Sequence, residues 1–194
     1  GRIRGLAAAG GRARLERALR LGVLVSGRGT NLQAILDAIA SGGLKAEVAL
    51  VACNRPGAGA VARAVRAGVP AELFTQQEYD TREAQQRAIG DRMAAAGVRL
   101  VVCAGWDRIF TPEFLRRFPG RIINVHPSLL PAFGGGLHAV RDALEYGVKI
   151  TGCTVHFVTD ELDSGPVISQ AAVAVLPDDT EETLAERIHI EEHR

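Results

Sequence analysis

From residue 21 onward, short apolar runs alternate with segments of helical period, and no other feature constrains the fold of this chain so strongly. A run such as Leu100-Val101-Val102-Cys103-Ala104 has no polar face, so a strand built from it must be covered on both sides. Strands of that kind belong to parallel sheets whose crossovers are helices. The pattern predicts strands over 21–25, 48–53, 71–74, 100–104 and 122–126, with helices over 31–41, 58–67, 79–95 and 112–118. Asn54-Arg55-Pro56-Gly57 reads as a turn and Gly68 as a C-terminal helix cap. Beyond this the pattern changes: a helix over 137–146 precedes two long strand-like runs, 149–158 and 167–175, separated by an acidic turn. That spacing predicts an antiparallel hairpin added to the parallel sheet. A last helix begins near Thr180, where a hydroxyl precedes the acidic pair Glu181 and Glu182. The expected architecture is α/β: a single Rossmann-like open sheet, mostly parallel with an antiparallel C-terminal hairpin, and helices on both faces.

At 194 residues, 47% hydrophobic and 23% charged, the chain supports one sizeable core and is short for two. Its formal net charge of +1 exerts no global pull toward nucleic acid or an anionic membrane. No apolar stretch approaches the ~20 residues needed to span a bilayer. Cys53, Cys103 and Cys153 lie in or beside apolar runs, without metal-ligand spacing and in odd number, so they read as buried free thiols of a cytoplasmic protein. Residues 1–20 stand apart, with Arg2, Arg4, Arg12, Arg14, Arg17 and Arg20 set among Ala and Gly. Three readings compete for them: a disordered or non-native extension, a transit-like arm, or a phosphate-contacting arm. The domain is expected over 21–194.

Within this frame one polar constellation stands out. Ile122-Ile123-Asn124-Val125-His126 reads as a strand, so Asn124 and His126 share a face, and Pro127 stops the ladder. Open α/β sheets bind ligands at the carboxyl ends of their strands, which is where this amide and imidazole lie. The acidic loop containing Asp160, Glu161 and Asp163 is a source of a carboxylate, and the sharp turn Ser164-Gly165-Pro166 aims Asp163 inward. Together these outline an acid/base site. The bland readings are a satisfied core histidine and a solvated turn carboxylate. Zinc is disfavoured, because His138 and His156 belong to different elements and no Cys stands at ligand spacing. Ser26-Gly27-Arg28-Gly29-Thr30-Asn31 joins the first strand to the first helix, so its N–H groups converge on a spot suited to a phosphate. A plain tight turn with a polar cap is the equal alternative.

Ser26-Gly27-Arg28-Gly29-Thr30-Asn31-Leu32-Gln33, Ala104-Gly105-Trp106-Asp107-Arg108-Ile109, Asn124-Val125-His126-Pro127-Ser128-Leu129-Leu130-Pro131 and the stretch over 152–166 are four motifs in a fixed order. Taken together they resemble the folate-dependent phosphoribosylglycinamide formyltransferases of purine synthesis, from about residue 21 to residue 193. The resemblance implies the formyltransferase fold. It implies transfer of the formyl group of 10-formyltetrahydrofolate to the amine of N1-(5-phospho-D-ribosyl)glycinamide, on the way to IMP. The partners would be small molecules, with no metal, no ATP, no nucleic acid and no membrane, and a homodimer is an assembly open to the chain. By the same resemblance Asn124, His126 and Asp163 match the catalytic trio, while Gly29, Thr30, Asn31 and Glu192 match positions that hold the ribonucleotide. Arg82, Asp107, Arg108, Ile109, Phe110, Asn124, Thr159, Asp160, Glu161, Leu162 and Asp163 match the folate-binding positions.

These residue types suit the chemistry. Amine attack on a formyl carbon develops an oxyanion, and the folate nitrogen must gain a proton to leave. An Asn124 amide donates to the oxyanion, a protonated His126 stabilises it and helps deliver the proton, and Asp163 orients the imidazole. Three features depart from the family pattern. Gly134-Gly135-Gly136 follows Phe133 where relatives carry Pro-Gly, the Arg-rich start is additional, and the chain ends soon after Glu192, so the domain reads as C-terminally short. Methionyl-tRNA formyltransferase and formyltetrahydrofolate hydrolase use a similar Asn-x-His and Asp, but neither typically has the Gly-Thr-Asn loop. A non-catalytic nucleotide-binding module would bind ribonucleotide without turnover.

Overall fold

The structure, a computed structural model, describes residues 18–194. Its strands are β1 (Leu19–Val25), β2 (Ala46–Cys53), β3 (Ala71–Leu73), β4 (Leu100–Cys103), β5 (Ile122–His126), β6 (Ile150–Phe157) and β7 (Val167–Ala174). The helices are α1 (Thr30–Ala40), α2 (Gly59–Arg66), α3 (Arg82–Ala95), α4 (Pro112–Arg117), α5 (Ala139–Tyr146) and α6 (Glu181–Glu192). One seven-stranded sheet runs in the order β3-β2-β1-β4-β5-β6-β7. The strands from β3 to β5 are parallel, and β5-β6 and β6-β7 are antiparallel.

Alternation along the buried strands divides the core into two layers. Val23, Val25, Cys53 and Val102 turn toward Leu32, Ala60 and Ala64 of α1 and α2. Leu24, Ala52, Val101 and Cys103 turn the other way, onto Ile89 and Met93 of α3 and Phe114 of α4. A third cluster seats Leu184 and Ile188 of α6 on Cys153 and Val173. The expected mostly parallel sheet with helices on both faces is therefore what forms, and the three cysteines are free and buried. No helix among the described residues is long and apolar enough to cross a membrane.

Several boundaries move from their expected places, each for a local reason. β1 begins at Leu19, so Leu19 and Arg20 pair with Ala46 and Glu47, while the Arg-rich stretch over 1–17 lies outside the described residues. The segment before α3 is a separate 3-10 turn, Gln76–Glu78, closed by a capping box in which Glu78 accepts from Thr75 N at 2.8 Å. α3 then starts one turn later, with Thr81 as its cap. α5 starts at Ala139, which leaves Leu137 as an exposed loop residue. The antiparallel part is larger than a hairpin, because β6 also pairs antiparallel with β5.

Strand order reverses between β1 and β4: the chain steps outward from β1 to β2 and β3, then returns through α3 to the other side of β1. The connections leaving β1 and β4 therefore part, and a crevice opens at their carboxyl ends. Ser26, Gly105 and the end of β5 surround that crevice, and Ser26 N donates to Gly105 O at 3.0 Å.

Candidate active site

Strand β5 delivers Asn124 and His126 to one face, as its period requires, and the β6–β7 connection brings Asp163 to them. The Asp163 carboxylate is 10% exposed and sits between two imidazoles. Its Oδ2 is 3.5 Å from His126 Nδ1, and its Oδ1 is 3.7 Å from His156 Nε2. Gly135 N–H donates to Oδ2 at 2.8 Å, so the Gly-rich loop after Phe133 is tied to the carboxylate. Asp163 adopts a left-handed φ of 51°, which the surrounding turn imposes at some energetic cost. Gly165 completes that turn: a Cβ there would lie 1.8 Å from Phe157 O, so the chain passes β6 too closely for any side chain.

Hydrogen positions follow from the partners. Phe133 O, 3.0 Å from His126 Nε2, only accepts, so that nitrogen carries a hydrogen and the ring presents Nδ1 to Asp163. Phe157 O, 3.0 Å from His156 Nδ1, places the second imidazole's hydrogen on Nδ1. His156 Nε2 is then an acceptor for Asn124 Nδ2 at 3.3 Å, which orients the amide and leaves its second hydrogen for another acceptor. Below the site, Thr154 Oγ1 donates to Ser128 O at 2.7 Å and accepts from Leu130 N at 3.1 Å, fixing the segment that presents Phe133 O.

His156 escapes a reading of the sequence. It lies in a different element from His126, and only the β5–β6 register, which pairs Asn124 with His156, makes the two neighbours. Alternation in the run Thr154-Val155-His156 is the one signal that could have found it, since an inward-facing histidine in an apolar strand asks for a polar partner.

A cavity of about 460 Å³ opens from this cluster along the ends of β4 and β5. Asp107, Arg108, Ile109 and Phe110 form one wall, and Thr159, Asp160, Glu161 and Leu162 form the other. Trp106, Val158 and Leu137 supply further apolar surface. Arg82, expected with this group, is not among the lining residues and lies at the start of α3, with Glu83 at 3.6 Å. Asp107 contributes to the wall, and its carboxylate is held by residues outside the lining, accepting from Ser26 Oγ at 3.0 Å and Asn54 Nδ2 at 2.7 Å and pairing with Arg55. Burial opposes the charged form of Asp107, yet these hydrogen bonds and the Arg55 charge outweigh it and hold the carboxyl below its ordinary range.

The second expected cluster forms at the start of α1. Gly29 caps the helix with φ 77°, and a Cβ there would fall 2.6 Å from Ala60, so the loop rests directly on α2. Thr30 opens the helix, and Asn31 Nδ2 donates to Glu192 Oε2 at 3.0 Å across 161 positions of sequence. Glu192 is carried there by α6, capped by Thr180, whose hydroxyl accepts from Thr183 N at 3.2 Å. Thiol chemistry has no support, because burial raises Cys53, Cys103 and Cys153 above the ordinary thiol value. Among the described residues no three His, Cys, Asp or Glu side chains gather in a metal-binding group.

Comparison with known proteins adds names to this geometry. The formyl transferase family model matches residues 19–194. The phosphoribosylglycinamide formyltransferase of Escherichia coli strain K12 is 43% identical over 171 residues, covering 88% of this chain and 80% of that protein. The trifunctional purine biosynthetic protein adenosine-3 of Drosophila melanogaster is 44% identical over 180 residues; the match takes in 92% of this chain but spans only 13% of that protein's length. Among solved structures, glycinamide ribonucleotide transformylase 1 from Symbiobacterium toebii superposes with a TM-score of 0.90 at 52% identity, over 92% of this chain and 84% of that one.

Proposed function

The chain belongs to the formyl transferase family, in its phosphoribosylglycinamide formyltransferase branch, and from that premise we propose how its own residues transfer a formyl group in purine biosynthesis. The donor is 10-formyltetrahydrofolate and the acceptor is the amine of glycinamide ribonucleotide. One observation carries the reading: a largely shielded carboxylate, Asp163, lies between His126 and His156, beside an amide already oriented by the second of them.

Asn124, oriented by His156, directs its remaining N–H at the oxygen that becomes negative as the amine attacks. His126 faces the same point. With Phe133 O and Asp163 both acceptors, a protonated ring is held at both nitrogens and stabilises the oxyanion through its positive charge; the Nδ1 proton passes to the departing folate nitrogen, and the proton that the attacking amine gives up replaces it. Asp163 keeps the ring in register and balances its charge. The donor's flat ring system suits a cavity walled by Ile109, Phe110, Leu137, Val158 and Leu162, which offers apolar faces. The ribonucleotide phosphate suits the Gly29 loop and the α1 N-terminus, and Asn31 with Glu192 suits the rest of that substrate. An activated formyl donor already carries the driving force, so the transfer as proposed draws on neither ATP nor a metal. Free buried thiols suit a cytoplasmic setting. A homodimer is the assembly to examine by light scattering.

The deciding assay mixes the purified chain with both substrates and follows the appearance of tetrahydrofolate, with an amine-free control. Amine-dependent turnover supports the reading. Formate release at full rate without the amine would reassign the site to hydrolysis, and ribonucleotide binding without turnover would make the chain a binding module.

A further inference from the structure

The wall formed by Asp107, Arg108, Ile109 and Phe110 leaves the sheet as a loop, and its position decides the width of the donor cavity. Two backbone groups at its far end are bonded to a single side chain from another element. Gln86, in the first turns of α3 and 1% exposed, donates from Nε2 to Ile109 O at 2.8 Å. Its Oε1 accepts from Thr111 N, also at 2.8 Å. A carboxamide is the side chain that donates and accepts from neighbouring atoms in one plane, so Gln86 supplies the pair of bonds that an adjacent strand would have made.

The clamp extends into the packing around it. Thr111 is the cap of α4, its hydroxyl accepting from Phe114 N at 3.2 Å. Between the two clamped groups lies Phe110, whose ring stacks 6.4 Å from that of Trp106 and 5.0 Å from that of Phe114. Ile109 remains 58% exposed at the cavity mouth. Gln86 itself is not among the cavity-lining residues, so any effect it has on the donor runs through the loop.

We propose that Gln86 is a positioning residue for the formyl donor: by clamping Ile109 O and Thr111 N it sets how far the loop carrying Ile109 and Phe110 stands from the opposite wall. The proposal rests on reading this cavity as the donor site. It separates from a general role in stability, because a merely structural residue would affect both substrates alike, whereas this clamp holds only the donor wall.

The test is steady-state kinetics on the intact chain with Gln86→Leu and Gln86→Glu. Gln86→Leu keeps the volume and removes both bonds; the KM for 10-formyltetrahydrofolate should rise about tenfold, with kcat and the ribonucleotide KM within about twofold of the parent. Gln86→Glu keeps the acceptor for Thr111 and loses the donor for Ile109 while ionised. Protonation restores that donor, and burial raises such a carboxyl, so its donor KM should fall as pH is lowered toward about 6. The parent and Gln86→Leu should lack that pH dependence. A donor KM unchanged in both variants, or an equal rise for both substrates, overturns the proposal. If Gln86→Leu fails to fold, the pH profile of Gln86→Glu decides. If the parent shows no amine-dependent turnover, it is the proposed function that fails, and the clamp is then read from the donor Kd of parent and Gln86→Glu, followed through the fluorescence of Trp106, the chain's one tryptophan. Equal Kd values would overturn it.

Discussion

Asn124 and His156 are cross-strand partners in the β5–β6 ladder, and Nδ2 of the first lies 3.3 Å from Nε2 of the second. Phe157 O holds the imidazole hydrogen on Nδ1, so the ring accepts from the amide and fixes which way it points. His156→Phe preserves the ring and removes that acceptor. We expect kcat to fall by about tenfold to a hundredfold with the donor KM little changed, because the oxyanion contact is lost in the transition state rather than on binding. A parallel rise in KM would place His156 in ground-state binding instead.

The trio should behave as one unit. Asn124→Ala is expected to cost about 10² to 10³ in kcat. His126→Ala and Asp163→Asn should each cost about 10² to 10⁴. The double variant of His126 and Asp163 should be scarcely worse than the poorer single one, since the carboxylate acts through the imidazole it orients. Strict additivity of the two losses, measured in a double-mutant cycle, would separate their roles.

Gly29→Ala tests the proposed role of the loop before α1 in holding the ribonucleotide. An added Cβ meets Ala60 at 2.6 Å and imposes a left-handed φ on alanine, so the loop must shift off α2. The ribonucleotide Kd should rise, by about tenfold or more, while the donor Kd is preserved because that cavity lies beyond β4. Isothermal titration with each substrate separately reads both halves of this expectation.

Asp107→Asn tests the tie between the ends of β1, β2 and β4. At neutral pH the variant should lose about 1 to 3 kcal/mol of unfolding free energy, as charge-assisted bonds to Asn54, Ser26 and Arg55 weaken. Because the folded carboxyl sits below its unfolded value, this stabilisation is complete above the ordinary carboxylate range of about 4 and fades as pH falls through the lower folded value. Denaturant curves of parent and variant should therefore converge in acid. A gap that stayed constant from pH 7 down to about 3 would show that packing, not charge, carries the loss.

The parallel half of the sheet could be read in advance because its strands are buried on both faces and announce themselves as unbroken apolar runs, Val101 to Cys103 being typical. The β5 face carrying Asn124 and His126 was equally open to reading, since period-2 alternation is a property of the strand alone. Residues whose partners come from distant elements were not. Gln86 looks like an ordinary helical glutamine until α3 is laid beside the loop after β4. Asp107 looks like a cavity-facing acid until Ser26 and Asn54 take hold of its carboxylate. α3 starts later than its periodicity predicts for a local reason: the Thr75 capping box closes a short turn before the helix begins.

By itself, the sequence determined which segments become strands and helices, the side of β5 on which the amide and imidazole fall, and the glycine-bearing loop at the start of α1. These depend on short-range periodicity and on backbone conformations that glycine alone adopts without strain. Only the tertiary structure decided that His156 faces Asn124, that Asp163 lies between two imidazoles, that Asn31 meets Glu192 and that Gln86 bonds both Ile109 O and Thr111 N. Each of these depends on strand register or on how a helix docks, and both are set by the burial of apolar faces far from the polar atoms that are thereby brought within a hydrogen bond of one another.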